Sequence, residues 1–403
     1  MVHQMIATNI NPAPRASSNS NVMSGFLRCG WTALIVGVLS ACGSAPTTNA
    51  PWVDIARPNS ADRAERSDGP RGSVITQAKS RWVAVPWTDL PGFAEDPLFE
   101  AWNAWLKSCE RPAPPLAALC TGVRRLSIGS PEAQRAWLQE NLQPYRVESL
   151  QGDANGLLTG YFEPALDASR DARVGFAAPL YKPPASLGAR KPWFTRQEMD
   201  TLPEAQAALQ GRAIAYLADP IDALVLQIQG SGRLRILQAD GSARWVRLAY
   251  AGTNDQPYRS VGRWLLDQGL VKDASWPGIK VWLAQNPQRQ QELLWSNPRM
   301  TFFKEEPIGE LDNAVGPRGS QGVALTAGRS IAIDPGSIPY GTPVWLASRG
   351  PNANLQKLVL AQDSGSAVVG AVRADYFAGG GAEAGDLAGR LRQPLLMWVL
   401  WPK

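Results

Sequence analysis

The chain has 403 residues, 44% of them apolar and 19% charged, with a formal charge of +5 and one histidine, His3. That length leaves room for two ordinary cores, and the composition excludes a disordered, collagen-like or disulfide-scaffold chain. The charge is too mild for a nucleic-acid-binding stripe, and the lack of any histidine after position 3 removes Ser-His-Asp and Cys-His catalysis and histidine-bearing metal sites.

The first segment reads as targeting. Met23–Arg28 precedes an apolar run, Trp31–Leu39, too short to span a bilayer. It ends in Leu39-Ser40-Ala41-Cys42-Gly43, small residues before a cysteine, which resembles a bacterial lipoprotein cleavage site. On this basis residues 1–42 are a signal, with Met23 an alternative start, and Cys42 carries the lipid. Gly43 rather than aspartate then points to the outer membrane, facing the periplasm. An ordinary secretory signal with a chance cysteine is the plainer alternative. Without Arg15 and Arg28 the exported chain carries about +3, a mild bias suited to an anionic polymer. Residues 43–84, mostly Ala, Pro, Ser, Asn, Arg and Asp at first, are expected to be a tether.

Cys109 and Cys120 remain in the exported part. A disulfide between them is permitted in the periplasm; two buried thiols are equally compatible with the sequence.

Asp96-Pro97 before Leu98, Trp102, Trp105 and Leu106 predicts a capped helix with proline in its first turn. Ser130-Pro131-Glu132 opens a second helix running to about Leu142. "LLTGYFEPAL", residues 157–166, reads as a strand broken by Pro164. Thr195 and Glu198 have capping-box spacing. "ALVLQIQGSGRLRIL", residues 223–237, alternates around Gly230 and Gly232 and predicts a hairpin; "ARWVRLAYAG" follows as a strand. Helices are expected at 257–269, 276–285 and 288–296. From Asn297 onward, short β-rich runs separated by Gly and Pro predict a small closed barrel, with no fixed repeat. The sixteen tryptophans serve either as core or as flat platforms for sugars. No GxxxxGK[ST] occurs, so no phosphate loop is indicated. No cofactor and no metal site are expected. Proton transfer falls to Asp, Glu, Tyr and Lys.

Several motifs accumulate in order. They are Gly160-Tyr161-Phe162-Glu163-Pro164, Gln227-Ile228-Gln229-Gly230-Ser231-Gly232, Tyr258-Arg259-Ser260-Val261-Gly262, and Asn297-Pro298 with Phe302-Phe303. Asp334 in "IAIDPGSIPYGT", Asp363 in "AQDSG" and Asp375 in "RADYFAG" complete the series. This array resembles the membrane-bound lytic murein transglycosylase A family over roughly residues 85–403. The resemblance implies a mainly β fold: a double-psi β-barrel domain, residues 85–165 and 302–403, interrupted by a second β-rich domain, 166–301, with a substrate groove between them. It also implies cleavage of the MurNAc–GlcNAc β-1,4 bond without water, the C6 hydroxyl forming a 1,6-anhydro sugar.

One carboxyl group can serve that reaction as acid and then as base, whereas ordinary glycosidases need two. The resemblance assigns this role to Asp375, with Asp363 and Asp334 tuning its pKa, holding loops or stabilising developing positive charge. Both have a plainer reading as turn residues, in Asp-Ser-Gly and Asp-Pro-Gly. Tyr161, Glu163, Gln227, Gln229, Ser231 and Tyr258 are candidate sugar contacts, against a polar hairpin face, strand capping or core packing; Arg259 is a candidate for a peptide carboxylate. The expected partners are peptidoglycan glycan strands, an outer-membrane lipid anchor and other murein synthases or hydrolases. Nucleic acid is not one of them. One departure stands out: Arg373 and Ala374 precede Asp375 where the family often has His-Phe. An inward arginine would lower the aspartate's pKa, so Arg373 is expected to point outward. The alternatives are a β-1,4-glycan hydrolase, using Asp334 or Asp363 to activate water, and a non-catalytic, expansin-like murein-binding lipoprotein.

Overall fold

The computed structural model describes residues 72–238, 240–309 and 315–403. The expected signal, Cys42 and most of the expected tether lie outside the described residues. The strands are β1 (Val74–Thr76), β2 (Arg81–Ala84), β3 (Leu142–Glu148), β4 (Gly156–Glu163), β5 (Ala165–Ser169), β6 (Ala178–Tyr181), β7 (Ala213–Leu217) and β8 (Gly232–Leu237). They continue with β9 (Ala243–Thr253), β10 (Thr301–Pro307), β11 (Ser330–Ile333), β12 (Pro343–Arg349), β13 (Asn354–Asp363), β14 (Arg373–Gly380) and β15 (Arg392–Pro402).

One sheet has the order β1-β2-β3-β15-β12-β13-β11-β14-β4, and β15 pairs again with β4. The ring β15-β12-β13-β11-β14-β4 is therefore closed, and β3, β2 and β1 extend from it. Two of its pairings, β11 with β13 and β14 with β4, are parallel. Strand alternation fills the ring and covers it outside. Val344 and Leu346 of β12 belong to the inner cluster with Leu158, Ile331 and Val359. Trp345 and Ala347 belong to the outer one, with Trp102 and Trp105 of helix Phe99–Ser108 and with Trp137. Trp102 and Trp105 each meet Trp137 with ring centroids 5.8 Å apart. The large indoles of Trp82, Trp102, Trp105, Trp193 and Trp345 are fully buried, so packing accounts for them.

Cys109 and Cys120 form a disulfide. It ties the end of helix Phe99–Ser108 to the start of helix Cys120–Arg125. The first of these helices starts later than its sequence predicts. Leu98 occupies the cap position at φ 63°, outside the helix, and Asp96 is engaged elsewhere. Its carboxylate accepts from Arg329 Nη1 and Nη2 at 2.8 and 2.7 Å and from the Leu358 amide at 2.7 Å. Burial of both charges makes that bidentate pairing obligatory. The helices opened by Ser130 and Thr195 form as expected, each with its cap bond. Those expected near 257–269, 276–285 and 288–296 are Val261–Asp267, Trp276–Gln285 and Gln290–Trp295.

The second sheet has the order β10-β9-β8-β5-β7-β6. β10 belongs to it, so by sheet membership the insertion runs from 165 to 307 rather than from 166 to 301. Residues 74–84, the expected end of the tether, contribute β1 and β2, pinned through Trp82, whose indole N–H donates to the Ser337 carbonyl.

The predicted hairpin over 223–237 is a helix, Pro220–Gln229, followed by β8. Its apolar residues, Ile221, Leu224, Val225 and Ile228, have spacing i, i+3, i+4, i+7, the helical period. Asp219 caps it by accepting from the Ile221 amide at 2.8 Å, Pro220 opens its first turn, and Gly230, at φ 81°, stops it.

Candidate active site

A cavity of about 720 Å³ lies between the barrel and the insertion. Its barrel wall is set by strand register. Asp375 on β14 is paired with Thr159 on β4, and Ala332 on β11 is in register with both Asp375 and Asp363. Residues in one row share a face of the sheet, so both aspartates face the cavity, separated by the methyl of Ala332. Two strand spacings put their Cα atoms roughly 10 Å apart. Tyr161, two residues beyond Thr159 on β4, joins the same face.

Asp363 is held on both oxygens. Oδ1 accepts from the Ser320 amide and hydroxyl, both at 2.9 Å, and from the Ser364 amide at 2.8 Å; Oδ2 accepts from the Tyr161 hydroxyl at 3.0 Å. Gly319 lets Ser320 come this close, since a Cβ there would lie 2.4 Å from the Gln362 carbonyl oxygen. Burial raises the Asp363 carboxyl above the usual carboxylate value, against these donors.

Asp375 is held on one oxygen only. Oδ1 accepts from the Thr159 hydroxyl at 2.5 Å, and Oδ2 has no hydrogen-bond donor among the described residues. Burial raises its pKa; Thr159 and the Arg373 charge oppose the rise, and the charge of Asp363 adds to it. Arg373 does not point outward. Strand alternation puts residue 373 on the same face as 375, and its guanidinium donates to Thr159 Oγ1 at 2.8 Å and to the carbonyls of Leu157 and Ala374.

Asp334 is not on the cavity wall. Its carboxylate takes Lys79 Nζ at 2.8 Å and the amides of Gly370 and Gly336 at 2.9 and 3.0 Å. Burial raises its pKa, but these partners outweigh that and hold it below the usual value. It ties the turn after β11 to the loop between Asp363 and Asp375. Glu163 is also away from the cavity. It is buried, pairing with Arg247 at 2.6 Å and Arg233 at 3.3 Å, and it fastens the end of β4 to strands β9 and β8.

On the insertion wall Gln227, Gln229, Ser231 and Tyr258 line the cavity. Gln227 Oε1 accepts from Arg196 Nη2 at 2.6 Å, and Gln229 Oε1 accepts from the Phe162 amide at 3.1 Å. Both partners can only donate, so each carboxamide leaves its NH2 group for the cavity. Burial raises the Tyr258 hydroxyl. Arg259 is not on the wall; its amide donates to Asn297 Oδ1 at 3.2 Å. Instead Arg299, Asn297, Lys304 and the half-exposed Tyr250 line the cavity. Asn297 belongs to a motif quoted above, whereas the motifs pass over Arg299, Lys304 and Tyr250; Thr159 and Arg373 were within reach, since each lies two residues from a candidate, on the same strand face. Among the described residues no three His, Cys, Asp or Glu side chains group as metal ligands would.

Residues 157–304 match the MltA specific insert domain and residues 329–401 match the 3D domain. The chain is 31% identical over 272 residues to the membrane-bound lytic murein transglycosylase A of Escherichia coli (strain K12), covering 65% of this chain and 70% of that one.

The chain belongs to the membrane-bound lytic murein transglycosylase A family.

It is thus a member of a family of enzymes that act on peptidoglycan. Solved relatives agree with the fold. A Burkholderia pseudomallei lytic transglycosylase, LtgG, is 40% identical, with 83% of this chain and 98% of that one covered and a TM-score of 0.56. The structure of Escherichia coli MltA with bound chitohexaose is 25% identical, with 82% and 94% covered and a TM-score of 0.61. The MltA-type insert and 3D matches fall on the two sheets described above. Both aspartates of the cavity lie in the 3D part, and both glutamines lie in the insert.

Proposed function

We propose that the chain cleaves the MurNAc–GlcNAc β-1,4 bond of peptidoglycan and leaves a 1,6-anhydro-MurNAc end, with Asp375 as acid and then base. The observation that carries this is Asp375 itself: a half-buried carboxyl at the cavity wall, one oxygen held by Thr159 and the other without a protein donor among the described residues. Burial favours its protonated form, as a general acid near neutral pH requires.

Protonated Asp375 gives its proton to the glycosidic oxygen as the C1–O bond breaks. The C6 hydroxyl of MurNAc bonds to C1, and its proton returns to Asp375. No water is consumed, so no second carboxylate is needed to activate one. Asp363 contributes negative charge across Ala332, which opposes ionisation of Asp375 and favours positive charge at C1. The NH2 groups of Gln227 and Gln229 suit acyl carbonyls of N-acetyl sugars. Ser231, Tyr161 and Tyr258 offer hydroxyls, and Tyr250 offers an exposed ring. The chitohexaose bound to the Escherichia coli relative supports a sugar in this cleft.

Residues 43–403, incubated with purified murein sacculi, are expected to release fragments lighter by one water than reducing muropeptides, as read by mass spectrometry. Asp375→Asn is expected to release none while still binding sacculi. Reducing-end products would instead establish a hydrolase, and binding without release a murein-binding module. A lipid at Cys42 and an outer-membrane location facing the periplasm belong to the same reading. Metabolic labelling with palmitate, lost in Cys42→Ser, tests them.

A further inference from the structure

Asp375 has two oxygens, and only one can carry the transferred proton into the cavity. The surroundings of Thr159 decide which. A guanidinium nitrogen can only donate, so the contact between Arg373 Nη2 and Thr159 Oγ1, 2.8 Å, makes the threonine oxygen the acceptor. The hydroxyl then has a single hydrogen to place, and Asp375 Oδ1, at 2.5 Å, is its only acceptor among the described residues. Oδ1 is thereby an acceptor in the protonated acid as well as in the carboxylate. The acid's own proton is confined to Oδ2, the oxygen that no donor among the described residues meets. Arg373 is fixed for this task by donating also to the carbonyls of Leu157 and Ala374, on the two strands that carry Thr159 and Asp375.

We propose that Arg373 is a positioning residue that acts through Thr159, setting the direction of the threonine hydroxyl and so confining the reactive proton to Asp375 Oδ2. The proposal rests on Asp375 being the acid. It assigns Arg373 no contact with the substrate. The charged and titratable groups around Asp375 are Asp363 from β13, Tyr161 from β4, Tyr258 from the insertion and Arg373 itself, with Arg392 of β15 beside Arg373. Of these, Arg373 alone joins Asp375 through a hydroxyl.

The test is a double-mutant cycle read on turnover of a soluble murein glycan, with kcat and KM determined separately across pH. Arg373→Met and Thr159→Val are each expected to lower kcat by about 10- to 100-fold, the scale of a misdirected catalytic group, with little change in KM. On the plateau of the pH profile the double variant is expected to be no slower than the slower single one, because without the hydroxyl Arg373 keeps only its charge on Asp375, which moves the limb and not the plateau. Arg373→Lys, another obligate donor, and Thr159→Ser are expected to restore most of kcat. The alkaline limb of the kcat profile is expected to move to higher pH in Arg373→Met, since a positive charge that favours the carboxylate is removed, and to stay near wild type in Arg373→Lys.

Multiplicative losses in the double variant, a change confined to KM, or a failure of lysine to restore kcat would each overturn the proposal. If Arg373→Met does not fold, Thr159→Val against Thr159→Ser decides it, since neither touches the guanidinium's carbonyl partners: equal rates would overturn it. Failure of the underlying reading is visible separately, as residual turnover in Asp375→Asn or reducing-end products from the wild type.

Discussion

The Asp375 carboxyl is held at a cost to stability. Its pKa is raised in the folded protein, so between the unfolded value, near 4, and the folded value the native state holds more protons than the unfolded chain. Stability therefore falls as pH rises through that window and stays lowered above it, by about 1.4 kcal/mol for each tenfold weakening of the acid on folding. Asp375→Asn removes the charge and keeps an acceptor for Thr159. It is expected to be inactive yet more resistant to urea at pH 7, with the two proteins converging below about pH 4, where both side chains are neutral. Equal stability at both pH values would count against burial as the source of the raised pKa. Asp334 has the opposite sign. Its lowered pKa means that Lys79 and the two amides stabilise the fold above the usual carboxylate value, a contribution lost as pH falls through the folded value. Asp375, Asp363, Gln227, Gln229, Ser231, Tyr161 and Tyr258 all line the cavity. Asp334 and Glu163 do not. An acid next to Pro-Gly, or at a strand end, cannot be told from a substrate ligand until its cationic partners, distant in the chain, are known.

At the level of elements, local chemistry was legible where a cap or a period announced itself. Ser130 and Thr195 opened helices as their side chains require. The helix Pro220–Gln229 was not foreseen because glutamines at 227 and 229 suggested alternation, while the apolar set 221, 224, 225 and 228 already had the helical period. The pair Cys109–Cys120, eleven residues apart, joins two short helices that lean on the tryptophan cluster. Closing so short a loop restricts the unfolded chain by about 2 to 3 kcal/mol. Replacing both cysteines by serine is expected to lower unfolding stability by that amount in chemical denaturation, with catalysis unaffected at low temperature. A loss below about 0.5 kcal/mol would show that the bridge adds little to the packing around it.

The molecule as a whole depends on pairs that link distant parts of the chain. Arg329 and Asp96 are both almost wholly buried, and Glu163 meets Arg247 and Arg233 where the barrel ends and the insertion begins. Removing one member of such a pair leaves the other's buried charge poorly compensated, Arg329 keeping only the exposed Glu100 at 3.1 Å, at about 3 to 5 kcal/mol. Asp96→Ala is expected to reduce stability on that scale, measured by urea unfolding. Glu163→Ala is expected to do so too, and in addition to slow turnover without any contact to substrate, because it loosens the fastening of one wall to the other. Unchanged turnover in folded Glu163→Ala would show that the walls are held by other contacts. The closed ring was foreseeable from many short strands, but its register was not: Asp363, Ala332 and Asp375 come from three strands whose adjacency no local signal encodes.

β4 ends at Glu163 and β5 begins at Ala165, with Pro164 alone between them. A link of one residue is an axle, not a leash. A swing of the insertion against the barrel would pivot there. Thr159, paired with Asp375, sits five residues from Pro164 on β4, so it would move little in such a swing. The swing would change the width of the cavity while β4 and β14 kept the Asp375 carboxyl in place.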